Sequence, residues 1–206
     1  MSEIDSLLAK FIEYHLGIQF GTDVKRTIKN RLFERYGMSL TEALKQYEPF
    51  NRTLREFFGQ AADGMIIQLF EKVCLIKKSG KVVSLQIKDK IFSNLLLEAY
   101  GDKEKKMILL AVSSSALSIS KILKQTDISS QTTGYRIIND LIEDGLLVES
   151  GFDLSLDGKK TQAYRTPIKR IHIAVDMENT LDVTIEFSDD LIKKSGILTT
   201  IFARNR

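Results

Sequence analysis

The sequence predicts a mainly helical chain with a small β component. An N-terminal helical domain comes first, then two short helices followed by a hairpin, and last an antiparallel β-ribbon. Three observations predict this. Residues 1 to about 78 repeat apolar positions at helical spacing between glycines and Ser/Thr starts. Residues 118 to 145 hold two short amphipathic stretches only a few residues apart. After Pro167 the pattern switches to period two.

Composition sets the outer bounds. At 206 residues, 43% hydrophobic and 28% charged, the chain is an ordinary globular protein, long enough for one large or two small domains. Its longest apolar runs, Met65 to Leu69 and Ile108 to Val112, fall far short of the roughly 18 to 20 residues of a membrane span. The start Met1-Ser2-Glu3-Ile4-Asp5 lacks a signal peptide's basic flank, so a cytoplasmic protein is expected, with no membrane partner. A formal charge of +3 is compatible with nucleic acid without arguing for it. The single cysteine, Cys74, excludes an internal disulfide and a cysteine-based zinc cluster; within the helical run read over Met65 to Ile76 it is expected to be a buried apolar side chain.

In the N-terminal third, Gly17 and Gly21 interrupt after a first helix, and Thr22 or Asp23 caps a second that runs to Tyr36 and stops at Gly37. Ser39 with Glu42 has the capping-box pattern, and Pro49 stands where a helix can begin. Gly59 separates Phe50 to Phe58 from a longer helix reaching about Lys77. The steps Tyr36-Gly37-Met38-Ser39 and Phe58-Gly59-Gln60-Ala61-Ala62 resemble small helical output or sensor domains of archaeal regulatory proteins. That resemblance implies a sensor, output or dimer-forming role, with a protein partner as one use of the surface. On the second helix Lys25, Arg26, Lys29, Arg31 and Arg35 offer either a phosphate-contacting surface or a solvated face, and the lack of interleaved aromatics favours the second. Ser79-Gly80-Lys81 marks the boundary. Val82 to Ile87 then reads as a short strand or extended linker, and Lys88 to Tyr100 as a helix with Ile91, Leu95 and Leu96 on one stripe and Gly101 as its stop. This helix is a connector or part of a dimer interface.

The most informative stretch is Ser129 to Arg136 and the helix that follows it. Ile138, Leu141 and Ile142 form one apolar stripe, while Gln131, Thr132, Thr133 and Arg136 put amide, hydroxyl and guanidinium groups near the helix start. Ser129 or Ser130 serves as N-cap and Gly145 as a left-handed stop. Upstream, Ser118 opens a helix with Ile119, Ile122 and Leu123 in the same pattern, ending near Thr126 and Asp127, which is helix-turn-helix spacing. Downstream, Leu146 to Glu149 and Gln162 to Thr166 read as strands, with the turn signal Asp157-Gly158 followed by Lys159-Lys160. A basic hairpin tip beside such a helix is a wing.

On these residues, positions 103 to 168 resemble a winged helix-turn-helix of the broad ArsR/MarR type of transcriptional regulator. The pattern maps onto Ser130, Gln131, Thr133, Arg136, Gly145, Leu146 and Leu147, with Tyr135-Arg136 as a similar step. It departs at Gly134, which costs roughly 1 kcal/mol against alanine in a helix and either permits close helix approach or leaves the helix start loose. The resemblance implies double-stranded DNA as partner. Arg136 leads as a base or phosphate contact, Gln131, Thr132 and Thr133 read base edges, Ser130 and Tyr135 touch the backbone, and Lys159, Lys160 and Arg165 hold the wing to phosphates. Winged helices also serve as protein-binding modules in larger assemblies, which is the alternative.

After Pro167, Ile171, Ile173 and Val175 alternate with polar neighbours, as do Leu181, Val183, Ile185 and Phe187, around a turn-sized gap at residues 177–180. An isolated hairpin is marginal, so its apolar face covers the helical domain, the winged helix or the same ribbon of a second subunit, and the tail Ile197 to Phe202 is read as a possible extension of the sheet. A homodimer is expected, because two recognition helices on a two-fold axis read two half-sites. No catalytic parts are legible. The two histidines, His15 and His172, lack metal-ligand neighbours, and phosphate-loop, dinucleotide and nucleophile-elbow motifs are absent, so neither enzyme activity, cofactor nor metal is expected. The organisation read from sequence is a helical accessory domain at 1–79, a linker and connector helix at 80–101, a winged helix-turn-helix at 102–168 and a ribbon with tail at 169–206.

Overall fold

A computed structural model describes residues 2–79, 82–128, 130–154, 159–175, 177 and 181–204. Helices dominate, with two small antiparallel sheets. In chain order the elements are α1 (Glu3–Phe20), α2 (Thr22–Tyr36), α3 (Leu40–Gln46), α4 (Glu48–Phe58), α5 (Ala61–Val73), β1 (Cys74–Ser79), β2 (Val82–Ile87), α6 (Lys90–Gly101) and α7 (Lys103–Ala111). There follow β3 (Leu117–Ser118), α8 (Ile119–Gln125), α9 (Gln131–Glu143), β4 (Val148–Leu154), β5 (Lys160–Arg165), β6 (Arg170–Val175), β7 (Leu181–Glu186), α10 (Asp189–Lys194) and α11 (Gly196–Arg204). No helix among the described residues is long and apolar enough to cross a membrane.

Local signals place the early helices. Ser39 and Glu42 form the reciprocal capping box at α3, Pro49 lies in the first turn of α4, and Gly37 ends α2 in the left-handed conformation. Gly17 does not break α1, because Leu16 anchors that turn in the core and the stop falls at Gly21, which also takes the N-cap position of α2 in place of Thr22 or Asp23.

Four readings are corrected where distant partners decide. The helix expected to reach Lys77 ends at Val73, and Cys74 opens a strand whose thiol is fully buried, which pushes its pKa well up. Residues 74–79 pair with 82–87, so Ser79 belongs to a hairpin strand; Gly80 and Lys81 lie outside the described residues. The terminal ribbon is not alone: β7 pairs with β2, giving a four-stranded sheet in the order β1-β2-β7-β6. Its register puts Cys74, Ile87, Val183 and Ile173 in one row and Ile76, Leu85, Ile185 and Ile171 in the next, an apolar face turned to the core, while Gln86, Thr184 and His172 face outward. The tail forms α10 and α11 instead of a strand. Ile197, Leu198 and Ile201 recur at helical spacing and are buried, with α11 packed on α5.

One core runs through all of these segments, and α1 lies at its centre against α2, α3, α5, α10 and β4. Near its start the buried carboxylate of Asp5 accepts hydrogen bonds from Ser195 Oγ at 2.5 Å and from the backbone N–H of Gly196 at 2.9 Å, holding the first turn of α11. Burial pushes its pKa above the ordinary 3.8, against the opposing pull of these hydrogen bonds. Asp5→Ala leaves those donors unpartnered and is expected to lower unfolding free energy by about 2 to 4 kcal/mol in urea titrations. Because the folded pKa is raised, stability supplied by Asp5 is complete below the ordinary aspartate value and declines as pH rises through the folded value; Asp5→Asn is expected to remove that slope.

Candidate nucleic-acid interface

Helices α7, α8 and α9 pack on one another, and the three-stranded sheet β3-β5-β4 closes beside them. Gly134 of α9 faces α8 where the two helices meet. A Cβ built there would lie 2.3 Å from Leu123 Cδ2 and 3.5 Å from Ile128 Cδ1, so the missing side chain lets the helices close. Gly134 therefore serves helix approach. Ile137, Ile138 and Leu141 are buried on the same side of α9.

Ser130 is the N-cap: its Oγ accepts from Thr133 N–H at 3.1 Å and lies 2.9 Å from Thr133 Oγ1. Ser130 and Thr133 are thus committed to starting the helix, and Thr133 is half-buried. Ser129 lies outside the described residues. Gln131 and Thr132 are exposed in the first turn, and Tyr135 (44% exposed) and the Arg136 side chain (71% exposed) follow one turn on. The Arg136 guanidinium stands 3.6 Å from Asp140, an exposed pair that restrains it little. Asn139, also exposed, continues this face one turn beyond Arg136. Sequence reading missed it by weighing only the first two turns, although its spacing from Tyr135 and Arg136 carried the signal.

The hairpin is held from the side. Asp153 on β4 accepts from Ser118 Oγ at 2.9 Å and from Lys121 Nζ at 2.6 Å, which fixes β4 to the start of α8 and holds the Asp153 pKa below its usual value. Lys159 and Lys160 are exposed where β5 begins, and the register sets Lys160 against Leu154. Asp157 and Gly158 lie outside the described residues. On the outer face of the hairpin Phe152 (68%) and Leu154 (63%) project beside Lys160 and Gln162. A bulge between Glu149 and Phe152, with Gly151 at φ 80°, re-aims the strand there.

Arg165 does not join this surface. Its Nε donates to both carboxylate oxygens of Glu3, at 2.9 and 2.7 Å, so it ties β5 to α1. The cations of α2 are largely compensated as well: Lys25 pairs with Glu13, Arg26 with Asp23, and Arg31 and Arg35 with Glu56. His15 Nε2 lies 2.7 Å from Asp89, whose carboxylate caps α6, and His172 is exposed 3.4 Å from Glu186. The outward face of α9 offers amide, hydroxyl, phenol and guanidinium groups, and the start of β5 offers two exposed lysines.

No protein-family model, curated protein or solved structure matches this chain.

Gly145 ends α9 at φ +76°, and a Cβ there would stand 3.0 Å from Ser6 O and 3.1 Å from Leu7 Cα on α1. Since both backbone conformation and space reject a side chain, Gly145→Ala is expected to cost about 1 to 3 kcal/mol in a denaturant titration, more than the few tenths of an ordinary surface change.

Proposed function

We propose that α7, β3, α8, α9, β4 and β5 form a winged helix-turn-helix and that the protein is a cytoplasmic, non-enzymatic transcriptional regulator binding double-stranded DNA in a sequence-specific manner as a homodimer. The observation that carries this reading is the outward face of α9. Gln131, Thr132, Arg136 and Asn139 stand exposed along one side of a helix whose other side is buried, and these are the side-chain types that read base edges in a major groove. In this reading Arg136 and Asn139 specify, because guanidinium pairs with guanine and amide with adenine in bidentate geometry. Gln131 and Thr132 add base-edge contacts, and Tyr135 touches the backbone. Lys159 and Lys160 meet phosphates from the flank. Ser130 and Thr133 act indirectly by starting the helix, and Arg165 drops out because Glu3 holds it.

A second reading, docking of a protein partner, draws on Phe152 and Leu154, two large apolar side chains exposed on the outer face of β4. Salt separates the two. Phosphate neutralisation makes affinity fall steeply with salt, whereas an apolar contact responds little. Titrating the chain's own promoter and a scrambled duplex across a salt series is expected to give preference for the promoter. Arg136→Ala should lose about 1 to 3 kcal/mol at one base position, while Lys159→Ala/Lys160→Ala should weaken both duplexes alike and flatten the salt slope by about 1 per lost contact. Salt-insensitive binding, or none, would count against DNA as the partner.

A further inference from the structure

The four-stranded sheet ends on one side at β6, and among the described residues no other strand pairs with that outer edge. The opposite edge strand, β1, carries the exposed Lys77, the kind of charge that discourages pairing, and it continues directly from α5. β6 carries such a charge only at its first residue, Arg170, which pairs with Glu186 of β7. Arg170–Val175 is a regular six-residue strand, in register with β7 throughout and without a bulge or proline. At its end Val175 is 58% exposed although it sits on the apolar face of the sheet, and Met177 beyond it is fully exposed.

We propose that β6 pairs antiparallel with β6 of a second copy of this chain, about a two-fold axis through Ile173, to make one continuous eight-stranded sheet. A two-fold normal to the sheet keeps apolar faces together, so paired positions must share parity. Two registers then bring the strand centres together. An axis at His172 sets His172 against itself and Arg170 against Ala174. An axis at Ile173 sets Ile171 against Val175 and His172 against Ala174, so the exposed valine gains a β-branched neighbour and no like charges meet. The Ile173 register is the one that covers the exposed Val175, and this self-complementarity favours a second copy as the occupant. The pairing supplies the two-fold axis that the regulator reading calls for, while the argument from the strand edge stands apart from DNA.

Position 173 lies on the axis, where directly opposed Cα atoms are about 4.5 to 5.5 Å apart, within disulfide reach. Mild oxidation of Ile173→Cys in the full-length chain is expected to yield a covalent dimer that Lys77→Cys on the other edge and the unmodified chain, with its buried Cys74, do not form. Sedimentation equilibrium without DNA should give about twice 23.4 kDa for the unmodified chain, and Val175→Lys, on an exposed position, should weaken that dimer at least tenfold. A monomer at all concentrations, a dimer indifferent to Val175→Lys, or equal cross-linking through Lys77→Cys would overturn the proposal. A monomer that still prefers its promoter would sink the dimer and leave the DNA reading standing; a β6 dimer without DNA affinity would do the reverse.

Discussion

Everything in this fold leans on α1. Over its first fourteen residues nearly every apolar side chain is buried, which is possible only if neighbours surround the helix. Its polar residues are spent on the same task, each reaching a different part of the chain. Glu3 holds Arg165 of β5, Asp5 caps α11, Lys10 meets Asp144 at the end of α9, Glu13 takes Lys25 of α2 and Thr41 of α3, and His15 meets Asp89 ahead of α6. Apolar burial supplies the driving force; the polar contacts fix which neighbour sits where.

The consequence for function is mechanical. The outward face of α9 is presented by a helix whose far end rests against α1 at Gly145, and whose near end is closed onto α8 by Gly134. β4 and β5 are pinned twice, by Asp153 to α8 and by Arg165 to α1. The proposed role of α9 calls for such fixed geometry, because groove contacts discriminate only when side chains arrive in register. The helical body and α9 share one hydrophobic core, which also joins the segments read as separate units.

What was legible in the sequence was local. The box at Ser39 and Glu42, the stops at Gly37 and Gly145, and the polar start of α9 each depend on residues within a few positions, and the structure carries them as read. What escaped was decided at long range. Residues 74–79 have the composition of a helix end, and only β2 and, beyond it, β7 make them a strand; Gln86 meets Asp182 across 96 residues. Arg165 read as a wing cation because Glu3 stands 162 residues earlier. The ribbon's apolar face was legible, but not the strand that joins its sheet, and the tail's helical spacing was masked by its β-rich composition.

The central claim is that the outward face of α9, with the lysines at the start of β5, is the contact surface for duplex DNA. Hydrogen exchange read by mass spectrometry, on the chain alone and with saturating promoter duplex, tests it most directly. The account predicts added protection over residues 131–139 and 159–162, with α2 and α4 unchanged. Protection confined to the helical body, or to β4 in the presence of a protein partner and nowhere with DNA, would contradict it.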